Sequence, residues 1–113
     1  NLPGSEVLKV LEHGISGNAG MIELSGVRLT YDPEKEAGSR LSEVWVDGRP
    51  LVPSEVYSVT VPDFVAQGGS GYDFSKAKDK AVMPTLIRDV LIWCARKYSP
   101  IRAPSLDRIQ KVR

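Results

Sequence analysis

The order of apolar patterns along the chain constrains its fold more than any other feature of the sequence. Apolar residues recur at helical spacing near residues 5–16 and again near residues 84–97. Between these segments, the alternation typical of strands appears near residues 21–31, 41–46 and 56–61. Helices at the two ends of a run of strands predict an α+β fold, in which two long helices pack on a mixed, mainly antiparallel sheet.

Turn and capping residues mark the boundaries of these elements. Ser5 is the expected N-cap of the first helix. The pair Asp47-Gly48 is a strong hairpin signal at the end of the 41–46 strand segment. Pro84 fits the first turn of the second helix. The closing segment DRIQKVR is expected to form a last strand.

The size and the charge balance of the chain exclude several classes of protein. Its 113 residues suffice for one small domain, and we expect residues 1–113 to form a single one. With 15 basic and 14 acidic residues, the net charge of +1 gives no electrostatic case for a nucleic acid or an anionic membrane as partner. No apolar run approaches the roughly 20 residues that a membrane helix needs.

Candidate catalytic and metal-binding side chains are few. The chain has one cysteine and one histidine, so a metal site built from several Cys and His ligands is not possible. Cys94 is expected to be a small buried apolar residue. His13 is expected to bond a terminal carbonyl of its own helix. Because no two carboxylates are spaced for general acid–base work, we predict no catalytic residue and no metal site in this chain.

The segment DFVAQGGSGYDF, residues 63–74, is the strongest candidate for a binding site. It matches neither the glycine spacing of a P-loop nor that of a dinucleotide-binding turn. Its glycines let the backbone approach a ligand closely. Phe64 can stack on a flat group such as a nucleobase. Such stacking contributes about 1–3 kcal/mol per base in proteins that bind single-stranded nucleic acid. Two interpretations stay open: one wall of a nucleotide site, or a purely structural turn in a non-catalytic ligand-binding or protein-interaction domain.

The chain resembles one known family in four segments that follow each other in order. These segments are VLKVLEHGIS, GVRLTYDPEKEAGSRLSEVWVDGRPL, YSVTVPDFVAQGGSGYDF and DRIQKVR. Together they are similar to the C-terminal domain of the 5′-nucleotidase family, which includes UDP-sugar hydrolases and 2′,3′-cyclic-nucleotide phosphodiesterases. The resemblance implies a truncated, nucleotide-binding specificity domain. It also implies a parent hydrolase that dephosphorylates nucleoside monophosphates or related esters by metal-assisted attack of water.

The resemblance further implies which residues contact the substrate. Family members clamp the base between two phenylalanines, and the one in the glycine-rich loop falls on Phe64. The expected substrate-binding residues are Phe64, Gly68, Gly69, Ser70 and Gly71. Tyr72 is expected to support the loop by packing. This chain departs from the family at Ser70, where the family has an aspartate, and at Asp63, where it has an asparagine; a neutral hydroxyl is a weaker acceptor than a carboxylate.

Other parts of the machinery are expected outside this chain. The resemblance implies that two divalent metal ions and the catalytic residues belong to an N-terminal metallophosphoesterase domain of the parent, and that the second stacking ring precedes Asn1. The chain alone is therefore expected to hold no cofactor and to be inactive. Its family implies a periplasmic, cell-surface or secreted location. Because the family's domain begins upstream, we expect a bare sheet edge or apolar face, covered by a second copy in a homodimer or by a neighbouring molecule in a crystal.

Overall fold

A computed structural model describes residues 1–18 and 20–112, and its elements follow an α+β order. The strands are β1 (Leu2–Pro3), β2 (Val27–Tyr31), β3 (Leu41–Val46), β4 (Arg49–Pro50), β5 (Val56–Tyr57) and β6 (Ile109–Lys111). The helices are α1 (Gly4–Gly14), α2 (Asp63–Ala66) and α3 (Ile87–Tyr98), and a 3-10 turn spans Gly69–Gly71. This order confirms the predicted fold class. Strand β6 confirms the last strand expected in DRIQKVR, whose final residue, Arg113, lies outside the described residues.

Four strands form a mixed, mainly antiparallel sheet in the order β4-β3-β2-β6. Strand β2 pairs antiparallel with β3, with Val27 opposite Val46, and parallel with β6. The predicted hairpin turn joins β3 to β4. Its residues Asp47 and Gly48 have φ angles of 48° and 79°, and a type I′ turn requires both to be positive. A separate antiparallel ladder joins β1 to β5.

The core joins one face of α1 to β2 and β3. Val7, Leu11 and Ile15 recur every fourth residue, so they lie on the same face, and all three are buried. The remaining buried apolar residues are Leu2, Leu29, Tyr31, Val44 and Phe74. The first predicted helix is thus confirmed. Because its apolar face packs against the sheet, the position of its C-terminal end is fixed relative to the sheet.

The first helix does not begin with the predicted serine cap. Pro3 occupies the N-cap position, and no side chain caps the helix. Instead, the backbone N–H of Gly4 donates to the carbonyl of Glu55 at 2.7 Å, and that of Ser5 donates to the carbonyl of Pro53 at 3.0 Å. The loop between β4 and β5 therefore satisfies the first donors of α1, a tertiary solution that local sequence does not reveal.

Two of the predicted strands are shorter than their patterns suggest. Residues 21–26 form no strand, because the N–H of Ile22 donates to the carbonyl of Gly14 at the end of α1 and not to a neighbouring strand. Strand β5 stops at Tyr57 although the alternation runs on to residue 61. Its partner β1 offers only two residues before α1 begins, so the ladder cannot extend.

Helix α3 corrects the expectation that both long helices pack on the sheet. Every residue of α3 is exposed except Cys94. Cys94 is half-buried, so the prediction that it is fully buried is wrong. The helix begins at Ile87, so Pro84 precedes it, and the prediction that Pro84 lies in its first turn is wrong. Its apolar side chains Leu91 and Trp93 are 63% and 54% exposed, so the expected bare apolar face is confirmed. Among the described residues, no helix has the length and apolarity needed to cross a membrane.

Candidate functional site

The glycine-rich segment forms a short helix followed by a tight turn. Helix α2 begins after Pro62 and ends where Gln67 and Gly68 bond back to it. The carboxylate of Asp63 accepts the N–H of Phe64 at 2.8 Å, which satisfies a donor in the first turn. Gly68, with a φ of 96°, then reverses the chain into the 3-10 turn. Phe64 and the turn are thereby brought side by side.

The ring of Phe64 lies exposed against this turn. Its exposed fraction is 65%, so it is no part of the core, and the expectation of an exposed ring is confirmed. A Cβ added at Gly69 would overlap both the ring and the carbonyl oxygen of Phe64. Glycine is therefore favoured at position 69 by the close approach of the Phe64 carbonyl oxygen, which is part of the backbone and cannot rotate away as the exposed ring can. The stacking role of Phe64 stays a prediction.

The turn itself holds one residue in a strained backbone conformation. Ser70 has φ 55° and ψ 22°, in the left-handed region that residues other than glycine, asparagine and aspartate seldom adopt. Such a conformation costs on the order of 1–3 kcal/mol and persists only where the surroundings hold it. Gly68, Ser70 and Gly71 are exposed and Gly69 is half-buried, so the predicted sugar-contacting residues form an accessible backbone surface beside Phe64.

Two aromatic side chains connect this turn to the rest of the domain. Tyr72 is half-buried, packs against the core, and meets the ring of His13 edge to face at a centroid distance of 4.7 Å. Burial raises the pKa of the Tyr72 phenol above its ordinary value. The predicted role of Tyr72 as packing support for the loop is confirmed.

The prediction that the His13 side chain bonds a terminal carbonyl of its own helix is wrong. His13 lies in the last turn of α1, but its Nε2 is 2.7 Å from the carbonyl oxygen of Ser70, 57 residues further along the chain. The carbonyl of His13 is instead bonded by the hydroxyl of Ser16 at 2.7 Å. No local sequence signal indicates the contact with Ser70, because only the packing of α1 on the sheet brings the ring to the loop.

The neighbouring residue, Glu12, anchors a second loop. One carboxylate oxygen accepts the backbone N–H groups of Gly38 and Arg40, at 3.1 and 2.8 Å, and the other accepts that of Leu41 at 2.8 Å. The C-terminal end of α1 therefore ties two loops to one rigid helix through two consecutive residues.

The described residues hold no group of three or more His, Cys, Asp or Glu side chains arranged for a metal ion. Two shallow depressions of about 270 Å³ lie elsewhere, one of them beside the ion pair of Arg28 and Asp107 at 2.9 Å. Neither is lined by Phe64 or the glycine-rich turn.

Comparison with known proteins identifies the family. Residues 1–77 match the family model described as 5′-nucleotidase, C-terminal domain. An apyrase of Tabanus yao is 29% identical over 97% of this chain and 23% of its own length, and the human 5′-nucleotidase is 29% identical over 66% of this chain and 15% of its own. The chain thus spans about a quarter or less of these relatives.

Solved structures agree with this assignment. The crystal structure of a 5′-nucleotidase precursor from Thermus thermophilus superimposes with a TM-score of 0.80 at 28% identity, over 98% of this chain and 24% of the other. A sulfate thiohydrolase from the same source shares the fold, with a TM-score of 0.70 at 24% identity over 98% of this chain and 21% of its own. The chain belongs to the 5′-nucleotidase C-terminal domain family.

Proposed function

We propose that this chain is the nucleotide-binding specificity domain of a 5′-nucleotidase-like phosphohydrolase. The observation that carries the proposal is the 65% exposed ring of Phe64, lying on a glycine turn whose backbone is accessible. An exposed aromatic ring offers a face on which a nucleobase can stack. The adjacent glycines leave room for a sugar to approach the backbone at Gly68, Ser70 and Gly71.

The chemistry itself belongs, in this proposal, to another part of the parent protein. Residues 1–113 form a single partial domain, and an N-terminal metallophosphoesterase domain with two divalent metal ions activates the attacking water. Two facts support this division. The relatives are several times longer than this chain, and the described residues carry no cluster of metal ligands.

It follows that the 113-residue chain alone should release no phosphate from AMP with any divalent metal. A phosphate-release assay of the purified chain checks this, with a mock purification as control. Metal-dependent release above that control would contradict the division of labour.

The relatives also bear on where the parent acts. Several of them are snake venom 5′-nucleotidases, for example from Naja atra and Crotalus adamanteus. A venom protein is exported from the cell that makes it, so we propose an extracellular location for the parent as well. Expression of the full-length parent gene fused to a reporter tests this location. The fusion protein should be recovered from the medium, and its retention inside the cells would contradict the proposal.

A second copy of the chain is proposed to cover the bare face of α3. The helix carries Asp89 in its first turn and Arg96 and Lys97 in its last turn. In an antiparallel, two-fold pairing of α3 with its own copy, Asp89, which also pairs with Arg88 of its own helix at 3.1 Å, faces the basic last turn of the other helix. The exposed apolar side chains would be buried in the same contact.

The direct test of nucleotide binding compares AMP with ribose 5-phosphate, which lacks the base. With a ¹⁵N-labelled chain, AMP should shift the amide signals of Phe64 and of the 68–71 turn. Ribose 5-phosphate should perturb the turn at most and leave the amide signal of Phe64 unchanged. Equal effects of the two ligands, or no effect of either, would contradict a base-stacking site. Binding is expected to be weak, about millimolar, because one aromatic face contributes only part of the affinity of a complete site.

A further inference from the structure

The contact between His13 and the glycine turn has a defined direction. The Nε2 atom of His13 lies 2.7 Å from the carbonyl oxygen of Ser70. A carbonyl oxygen only accepts, so Nε2 must carry the hydrogen. The imidazole is further held by the edge of Tyr72, and a Cβ added at Gly71 would come within 3.1 Å of its Cε1 atom. The half-buried ring therefore lies against three consecutive residues, 70 to 72.

This bond acts on the most strained point of the turn. Ser70 is in the left-handed region, and the turn's own backbone bonds, from Gly71 to Gly68 and from Tyr72 to Gly69, are longer at 3.2 and 3.3 Å. The bond from His13 is the shortest that the 68–71 segment makes among the described residues. An unfavourable backbone conformation persists only when contacts outside it hold it in place.

We infer that His13 is a positioning residue of the nucleotide site. By donating from Nε2 to the Ser70 carbonyl, it locks the turn in the conformation that keeps the surface of Gly68–Gly71 open and Gly69 under the ring of Phe64. His13 lies at the end of α1, which packs in the core. The turn is therefore held in a fixed position relative to that helix. The inference rests on the proposed function, since it assumes that the turn contacts the substrate's sugar.

Two substitutions separate the hydrogen bond from the packing of the ring. His13→Phe keeps an aromatic ring against Tyr72 but removes the donor, whereas His13→Gln keeps an N–H donor of similar reach and removes the aromatic ring. Ser5→Ala is the matched control, because Ser5 lies on the same helix, is exposed, and its side chain makes no hydrogen bond among the described residues. For each variant, the amide shifts of the ligand-free turn and the affinity for AMP are measured.

We expect His13→Phe to displace the amide signals of Gly71 and Tyr72 and to weaken AMP binding about fivefold, the size expected for loss of one hydrogen bond. His13→Gln and Ser5→Ala should stay within about twofold of the original affinity. Unchanged turn signals and unchanged affinity in His13→Phe would overturn the inference while leaving the proposed function intact. Absence of AMP binding by the unmodified chain would overturn the proposed function, and the inference with it.

One measurement decides even if His13→Phe does not fold. The ¹⁵N signals of the His13 imidazole in the unmodified chain must show hydrogen on Nε2. Hydrogen on Nδ1 alone would contradict the inference, because Nε2 could then not donate to the Ser70 carbonyl.

Discussion

Phe64 and Phe74 are the two phenylalanines of the chain, and they stand in opposite environments. Phe74 is 6% exposed and belongs to the core, whereas Phe64 is 65% exposed on the glycine turn. An apolar ring that remains in water contributes little to folding, because the hydrophobic free energy follows the area removed from water. The exposure of Phe64 therefore leaves its ring little to contribute to packing, and it meets the requirement of the proposed stacking role.

The two phenylalanines make a matched pair for a stability test. Phe64→Ala should lower the free energy of unfolding by less than about 1 kcal/mol, as expected for a surface change. Phe74→Ala should lower it by about 3–5 kcal/mol, since it leaves a cavity in the core. Urea denaturation of both variants measures the difference. A loss for Phe64→Ala as large as that for Phe74→Ala would mean that the ring of Phe64 serves packing.

At single positions, the sequence predicts what a residue type can do but not which contact it makes. Phe64 stood out because it precedes a dense run of glycines, and its exposure is confirmed. The contact of His13 with Ser70 was not predictable, because it joins residues 57 positions apart. The left-handed backbone of Ser70 was equally hidden, since serine has no preference for that region.

Among the elements, α1 does more than any other to position the site. Its buried stripe fixes the helix on the sheet, and its last turn presents Glu12 and His13 to two different loops. The sequence predicted the helix from its apolar spacing, but its true start depends on carbonyls of the loop between β4 and β5. The two shortened strands also depend on tertiary contacts. The local alternation predicts an extended conformation, but the length of the strand depends on how many residues of a neighbouring strand are available for pairing.

Glu12→Ala should destabilise the domain by about 1–3 kcal/mol, because three backbone N–H groups lose an ionised acceptor. Glu6→Ala on the same helix is the control. Among the described residues its carboxylate pairs only with the exposed Lys9, so its loss should cost about 0–1 kcal/mol. Amide hydrogen exchange at Leu41 should accelerate in Glu12→Ala alone. Equal effects of the two substitutions would show that Glu12 does not anchor the 38–41 loop.

For the molecule as a whole, the sequence predicted the fold class and the family, and both are confirmed. It did not predict that α3 stands clear of the sheet. An amphipathic pattern indicates that a helix has an apolar face, but it does not specify the surface against which that face packs. Leu91, Trp93 and their apolar neighbours find no cover among the described residues.

If a second copy covers α3, the chain should dimerise with increasing concentration. Sedimentation velocity over a concentration series measures this association. Leu91→Glu should abolish it by setting a charge in the apolar contact, whereas Lys80→Glu, outside the helix, should leave it unchanged. A chain that stays monomeric throughout the series would contradict the antiparallel pairing of α3.

The central claim is that Phe64 forms one stacking wall for the base of a nucleotide. The most direct measurement is kcat/KM for AMP in the full-length parent, with and without Phe64→Ala, together with the melting temperature of each. Loss of a stacking contact of about 1–3 kcal/mol should reduce kcat/KM by about 5- to 150-fold at an almost unchanged melting temperature. A large fall in melting temperature, with unchanged kinetics in the enzyme that remains folded, would contradict the claim.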